Sequence, residues 1–128
     1  MIVLDAPAAL AYLLSEPGSN LVQQNLNRSV ITSVNLIEVC RRLRRGLSQS
    51  QVDTLKANFA GRLQAIEDVK RDDVSTASEI YFNFQKSHGI SLGDAVCLAA
   101  GRRLNAEVWT TDAVWGSLPN VGTVRIIR

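Results

Sequence analysis

The stretch Met1-Ile2-Val3-Leu4-Asp5-Ala6-Pro7 (MIVLDAP) holds the pattern on which the fold prediction depends. Its residues 2–4 form a short apolar run of β-type side chains, which is typical of a buried strand. Asp5 ends that run, and Pro7 lies where the first turn of a helix tolerates proline. We therefore predict a strand, an acidic residue at its carboxyl end, and a helix directly after it.

The same alternation of strand and helix continues along the chain. Apolar runs predict further strands at 30–32, 66–69, 107–110 and 124–127. Helical spacing and capping residues predict helices at about 6–14, 19–27, 33–47, 48–64, from 72 or 73 to 86, and from 91 onwards. Strands that alternate with helices favour a parallel sheet covered on both faces, and we find one domain over residues 1–128 with no internal repeat or linker.

Composition limits the class of protein. A chain of 128 residues, 46% of them hydrophobic, suffices for one domain with its own core. The formal charge of +2 permits a nucleic-acid partner without requiring one. Cys40 and Cys97 lie in apolar helical stretches and are predicted to be free thiols, which fits the cytoplasm. With His88 as its single histidine, the sequence offers no zinc site. We expect neither a signal peptide nor a membrane span.

Two acidic residues follow predicted strands directly. Asp5 comes after Ile2-Val3-Leu4, and Asp112 comes after the strand that ends near Thr110. In open α/β sheets, ligands bind in the crevice beyond the carboxyl ends of the strands. Each acid taken alone could equally cap the next helix. Two acids at equivalent strand ends favour a site.

Two further acids lie on predicted helices. Ser91 and Asp94 fit a capping box, in which Asp94 would also benefit from the positive end of the helix. Glu38 is predicted on the helix face opposite the apolar stripe, either as part of the site or as a surface acid paired with Arg41 or Arg42. Four acids in one crevice would repel each other unless a cation or a proton compensates.

Oxygen ligands of this kind suit Mg²⁺ or Mn²⁺, which readily share their coordination with phosphate. Such an ion can activate a water and stabilise the charge that develops on an attacked phosphodiester. His88 has no obvious Ser or Cys partner, and the chain has no glycine-rich phosphate loop. The pattern therefore favours metal-dependent hydrolysis over catalysis by a side-chain nucleophile.

Four segments in chain order carry a family resemblance: MIVLDAP, TSVNLIEV, ISLGDAVCLAAGRRL and VWTTDAVW. They resemble the PIN domain, and the length of the chain narrows this to the VapC-type toxins of bacterial toxin–antitoxin pairs. The resemblance implies an αβα sandwich and a Mg²⁺-dependent endoribonuclease that cleaves cellular RNA, with Mn²⁺ as a substitute. It also implies a homodimer that a VapB-type antitoxin silences.

The resemblance further assigns roles to single residues. It implies that Asp5 and Asp94 are the main metal ligands and that Glu38 and Asp112 complete the acidic cluster. Thr110 would orient water or metal from the fourth motif.

Two positions depart from the family pattern. Pro7 stands where the family often has a hydroxyl or amide side chain, and Ala113 stands where a basic residue often follows the fourth acid. A receiver domain or a haloacid-dehalogenase-like phosphatase fits poorly, because the former needs paired acids near the first strand and the latter a second acid at position 7. The alternative function is a catalytically weak or inactive PIN-like module that binds RNA or a protein partner.

Two arginines flank Glu38 on a helix that is predicted to extend to residue 47. Arg42 and Arg45 face away from the apolar stripe on that helix. They form either a basic rim that holds RNA phosphates or a solvated surface with weak ion pairs. The sequence leaves both interpretations open.

Overall fold

The structure is a computed structural model that describes residues 1–128. Five short strands form one sheet: β1 (Ile2–Leu4), β2 (Ser29–Thr32), β3 (Ala65–Glu67), β4 (Glu107–Thr110) and β5 (Val124–Ile126). All neighbours pair in parallel, in the order β3-β2-β1-β4-β5. The predicted parallel sheet is therefore confirmed.

Six α-helices connect these strands: α1 (Ala6–Leu13), α2 (Ser19–Gln23), α3 (Ser33–Leu43), α4 (Gln49–Arg62), α5 (Arg71–His88) and α6 (Leu92–Leu104). Two short 3-10 helices, Leu26–Arg28 and Ala113–Ser117, precede β2 and follow β4. None of these helices combines the length and the apolar character that a bilayer crossing requires.

Side chains that alternate along β1 point to two separate hydrophobic clusters. Ile2 and Leu4 belong to the first cluster, which contains residues of α1, α3 and α4. Val3 belongs to the second, which contains residues of α5 and α6. Because successive side chains of a strand point to opposite faces, helices cover both sides of the sheet. The αβα sandwich is confirmed.

Two helix boundaries differ from the prediction. The spacing of apolar residues continues to Leu47, but α3 ends at Leu43, and the carbonyl of Leu43 accepts from both Gly46 and Leu47 N–H groups in a turn. Arg45 therefore lies in that turn, and its predicted position on the helix is wrong.

The start of α5 also differs from the prediction, because Lys70 is its cap and neither Asp72 nor Asp73 is. Asp73 is the third residue of the helix and accepts the Lys70 backbone N–H at 2.8 Å. Three smaller shifts accompany this one. The segment predicted as a helix at 19–27 divides into α2 and a 3-10 turn, β3 lies at Ala65–Glu67, and β5 ends at Ile126.

The order of the strands creates a crevice between β1 and β4. From β1 the chain proceeds to β2 and β3 on one side, and it then returns to β4 on the other side of β1. Such a switch point is where open α/β sheets bind ligands, beyond the carboxyl ends of the strands. Asp5 directly follows β1 and Asp112 follows β4 by two residues, so the fold places both acids at this crevice.

Candidate active site

Asp5 is completely buried at the carboxyl end of β1. Its Oδ1 accepts the Ala8 backbone N–H at 2.7 Å, so it caps α1, while its Oδ2 is buried without a hydrogen-bond partner. Burial raises the pKa of Asp5 to about 7, and the charges of Asp94 and Asp112 act in the same direction. A buried carboxylate oxygen without a partner is costly unless a proton or a cation compensates it.

Thr110 and Asp112 lie beside Asp5 at the end of β4. The buried Thr110 hydroxyl lowers the pKa of Asp5, although Oδ2 of Asp5 has no partner in hydrogen-bonding geometry. That hydroxyl accepts the Asp112 backbone N–H at 3.1 Å. Asp112 is exposed, and its Oδ1 accepts the Val114 N–H at 3.0 Å. Asp112 thus caps the short helix that follows and also faces the crevice.

Asp94 occupies the first turn of α6, where the predicted capping box is confirmed. Its Oδ2 accepts the Ser91 backbone N–H at 2.9 Å, and its own N–H donates to Ser91 Oγ at 3.1 Å. Burial raises the pKa of Asp94, and so does the charge of Asp112, while the Ser91 hydrogen bonds lower it. The positive end of α6 favours negative charge at this position.

Glu38 is half-buried against α6, although the helical pattern predicts it opposite the packed stripe of α3. A Cβ added at Gly93 would collide with Oε1 of Glu38 and would lie 2.9 Å from its Cδ. Burial raises the pKa of Glu38, and so does the charge of Asp94, while Arg41 lowers it. No ion pair joins Glu38 to Arg41 or Arg42. The interpretation of Glu38 as a surface acid in an ion pair is therefore wrong.

The four acids form one electrostatic network. The charges of Asp94 and Asp112 raise the pKa of Asp5, that of Asp112 raises the pKa of Asp94, and that of Asp94 raises the pKa of Glu38. No group of three acidic, histidine or cysteine side chains is close enough to form a complete metal cage. A hard cation such as Mg²⁺ commonly keeps several waters and needs only one or two carboxylates. The unpartnered Oδ2 of Asp5 and an all-oxygen donor set fit such a cation.

Asn35 is a buried polar residue that the sequence pattern did not single out. Its Nδ2 donates to the carbonyl of Gly93 on α6 at 3.4 Å. The sequence feature that could have identified Asn35 is its spacing, because it stands three residues after Thr32 and three before Glu38. That spacing puts Asn35 and Glu38 on one side of α3.

The two arginines of the predicted basic rim are both exposed. Arg42 lines a cleft of about 250 Å³ together with Pro7, Thr111 and Arg128. Neither Arg42 nor Arg45 forms an ion pair with a carboxylate. The weak ion pairs that the alternative interpretation predicts for these arginines are therefore absent. Arg42 lies next to Thr111, in the segment that carries Asp112.

The raised pKa of Asp5 predicts how stability depends on pH in a metal-free buffer. Unfolded Asp5 would release its proton near pH 3.8, whereas the folded carboxyl keeps it to about pH 7. The folded state therefore binds more protons between these values, and the free energy of unfolding falls as pH rises through this window. One pKa unit corresponds to about 1.36 kcal/mol, so we expect a loss of a few kcal/mol at most.

Urea denaturation with EDTA at pH 5 and pH 8 measures this dependence. The Asp5→Asn variant is the control, because it cannot titrate at this position and should lose less stability across the same window. A wild-type protein that becomes more stable from pH 5 to pH 8 would contradict the burial argument.

Comparison with solved structures shows the fold in other chains. The chain superposes on VapBC2 from Rickettsia felis bound to a promoter DNA fragment with a TM-score of 0.76, at 17% identity over 98% of each chain. For VapBC-1 from nontypeable Haemophilus influenzae the TM-score is 0.73, at 16% identity over 98% of this chain and 97% of the other. For Mycobacterium tuberculosis VapC20, described as a Sarcin-Ricin loop cleaving toxin, the TM-score is 0.70, at 15% identity over 91% of this chain and 94% of the other.

Comparison with curated protein sequences gives no match. A family model for the PIN domain matches residues 2–120, which is nearly the whole chain and includes all four acids. The parallel sheet with helices on both faces agrees with that match. By sequence pattern and by fold alike, this chain belongs to the PIN domain family.

Proposed function

We propose that this chain is a VapC-type endoribonuclease toxin that hydrolyses cellular RNA with Mg²⁺, for which Mn²⁺ can substitute. The observation that carries the proposal is the buried, unpartnered Oδ2 of Asp5, and the charges of Asp94 and Asp112 raise the pKa of this carboxyl further. Family membership supports a nuclease, and the similar fold of VapC20, described as a Sarcin-Ricin loop cleaving toxin, supports RNA as the substrate.

Asp5 and Asp94 would hold the ion, and Glu38 and Asp112 would complete the negative pocket. A bound ion would supply the activation of a water and the neutralisation of charge on the attacked phosphodiester. Asp5 is fixed by Ala8, and the Ser91 N–H fixes Asp94, so neither carboxylate must be ordered when the cation binds. The burial that raises the pKa of Asp5 means that binding a cation near neutral pH displaces a proton.

Thr110 would orient the group that binds at Asp5. The Thr110 hydroxyl faces the Asp5 carboxylate and lowers its pKa. Pro7, which is exposed in the first turn of α1, provides no hydrogen-bond donor. Thr110 would thus supply a hydroxyl near the first acid, in a chain where Pro7 stands at a position that often has a hydroxyl or amide side chain in the family.

Cleavage of mixed cellular RNA by the purified protein tests the proposal. We expect RNA fragments with Mg²⁺ or Mn²⁺ and intact RNA with EDTA. Cleavage that continues at the same rate in EDTA would contradict the metal-dependent mechanism. RNA that is bound in a gel-shift assay but never cut, with either metal, would favour the alternative of an inactive binding module.

Arg42 and Arg45 would contact RNA phosphates beside the acids. We expect that replacing both with Ala weakens RNA binding for all sequences alike and lowers the slope of log affinity against log salt by about 1 for each lost phosphate contact. Filter binding with the catalytically silent Asp94→Asn background, at several salt concentrations, measures this slope.

Arg28→Ala is a control for the loss of one positive charge, half the loss in the double variant, because Arg28 is exposed and directly precedes β2 at the amino end of the sheet. It should lower the net charge in the same direction and leave the slope nearly unchanged. An unchanged slope in the Arg42/Arg45 variant would argue against phosphate contacts at these residues.

The acidic pocket also suits a protein inhibitor. An Arg or Lys side chain could replace the cation between the carboxylates through charge-assisted hydrogen bonds. We propose a VapB-type antitoxin as this partner, with support from the toxin–antitoxin complexes whose chains share the fold. The homodimer and the cytoplasmic location stay predictions.

A further inference from the structure

Asn35 connects α3 to the first turn of α6 through a defined set of hydrogen bonds. Thr32 Oγ1 accepts the Asn35 backbone N–H at 3.0 Å and donates its own hydrogen to Asn35 Oδ1 at 2.6 Å. Because that oxygen is occupied, Nδ2 points to α6, where the Gly93 carbonyl accepts at 3.4 Å. We call this arrangement the Thr32–Asn35–Gly93 bridge. Thr32 and Asn35 are buried, so water does not compete for these groups.

The bridge lies between two carboxylates that repel each other. Glu38 is one helical turn after Asn35 on α3, and Asp94 directly follows Gly93 on α6. The carboxylate of Glu38 lies against Gly93, the residue that directly precedes Asp94. The two helices are so close here that Oε1 of Glu38 occupies the space that a Cβ at position 93 would need. The bridge therefore opposes a force that would drive α3 and α6 apart.

We propose that Asn35 is a positioning residue that holds Glu38 and Asp94 at the separation from which both act on one divalent cation. This inference rests on the proposed function, because it assumes that the acids bind a metal. Asn35 acts through the two helices that carry the acids. Hydrogen-bonding partners that orient metal ligands typically change metal affinity or activity by about 10–100-fold when they are removed.

Calorimetric titration of the purified protein with Mn²⁺ tests this role without any nuclease assay. We expect Asn35→Ala to raise the Mn²⁺ dissociation constant by about 10–100-fold. Asn25→Ala is the matched control, because Asn25 Nδ2 donates to the Leu21 carbonyl at 2.8 Å near the amino end of β2, away from the acids. The control should bind Mn²⁺ as the wild type does.

Asn35→Ser is a second variant in case Asn35→Ala folds poorly. The serine hydroxyl can still bond to Thr32 but is too short to reach Gly93, so we expect the same rise in the dissociation constant. A double-mutant cycle adds a metal-free readout, since Asn35→Ala should lower the Tm less in a Glu38→Gln background, where one repelling charge is gone. If Asn35 only stabilises the fold and does not hold the two acids in position, Asn35→Ala should lower the Tm equally in both backgrounds.

The outcomes separate this inference from the proposed function. Wild-type Mn²⁺ affinity in folded Asn35→Ala or Asn35→Ser overturns the positioning role and leaves the metal site standing. A wild-type protein that binds no Mn²⁺ overturns the proposed function and the positioning role together. Weaker binding in both Asn35 variants, with unchanged binding in Asn25→Ala, supports the inference.

Discussion

Replacing Asp5 or Asp94 with Asn is expected to abolish RNA cleavage while the protein stays folded. Each substitution removes a negatively charged metal ligand. The loss of cleavage rate should therefore exceed the loss of about 10–100-fold that is typical when a hydrogen-bonding partner of a metal ligand is removed. Repulsion within the acid network falls at the same time, so the metal-free Tm at pH 8 should equal or exceed that of the wild type. Initial cleavage rates and thermal denaturation with EDTA measure the two effects.

Asp53→Asn is the matched control for this prediction. Asp53 is exposed on α4, where it contacts Gln49 and Lys56. Its replacement removes one negative charge of the protein without touching the acid network, and cleavage should continue at the wild-type rate. Full activity of either Asp5→Asn or Asp94→Asn would remove the basis for the metal site.

The second large effect is expected at Gly93. In Gly93→Ala the new Cβ would collide with Oε1 of Glu38, which is the flexible end of a half-buried side chain and can move aside. The fold should therefore survive, but Glu38 would be displaced from Asp94. Because a misplacement of about 1 Å near a reaction can cost about 100-fold, we expect a loss of cleavage of that order with little change in Tm.

Gly61→Ala provides the comparison for that variant. Gly61 lies on α4, and a methyl group added there would have no neighbouring heavy atom within 4 Å. Replacing a helical Gly with Ala at such a position should raise stability by roughly 0.5–1 kcal/mol and leave cleavage unchanged. If Gly93→Ala cleaves RNA as fast as Gly61→Ala, the contact with Glu38 does not matter for activity.

Strands β1 and β4 could be predicted because they carry a strong local signal, whereas the signal for β3 is weak. Ile2-Val3-Leu4 and Val108-Trp109 are apolar β-type runs whose side chains are almost fully buried. Helix ends were less certain, since Leu47 continues the apolar spacing of α3 although the chain has already turned after Leu43. Asp73 reaches back to the Lys70 N–H from inside α5, and in sequence such an acid resembles a cap.

The candidate site was only partly accessible from the sequence. Acids that follow strands could be predicted to share a crevice, because the carboxyl ends of parallel strands lie at one edge. The position of Glu38 depends on a second packed side of α3, against α6, and a single helical stripe carries no information about that contact. Asn35 was missed because a buried amide and an exposed one look alike in one sequence.

The most direct test of the proposed metal centre is the binding of Mn²⁺ itself, measured by calorimetry at pH 8 in the absence of RNA. We predict that the wild type and Asp53→Asn bind Mn²⁺ with the same affinity, and that Asp5→Asn and Asp94→Asn lose at least about tenfold in affinity. Equal Mn²⁺ affinity in all four proteins, or no binding by the wild type, would contradict a metal centre built from these carboxylates.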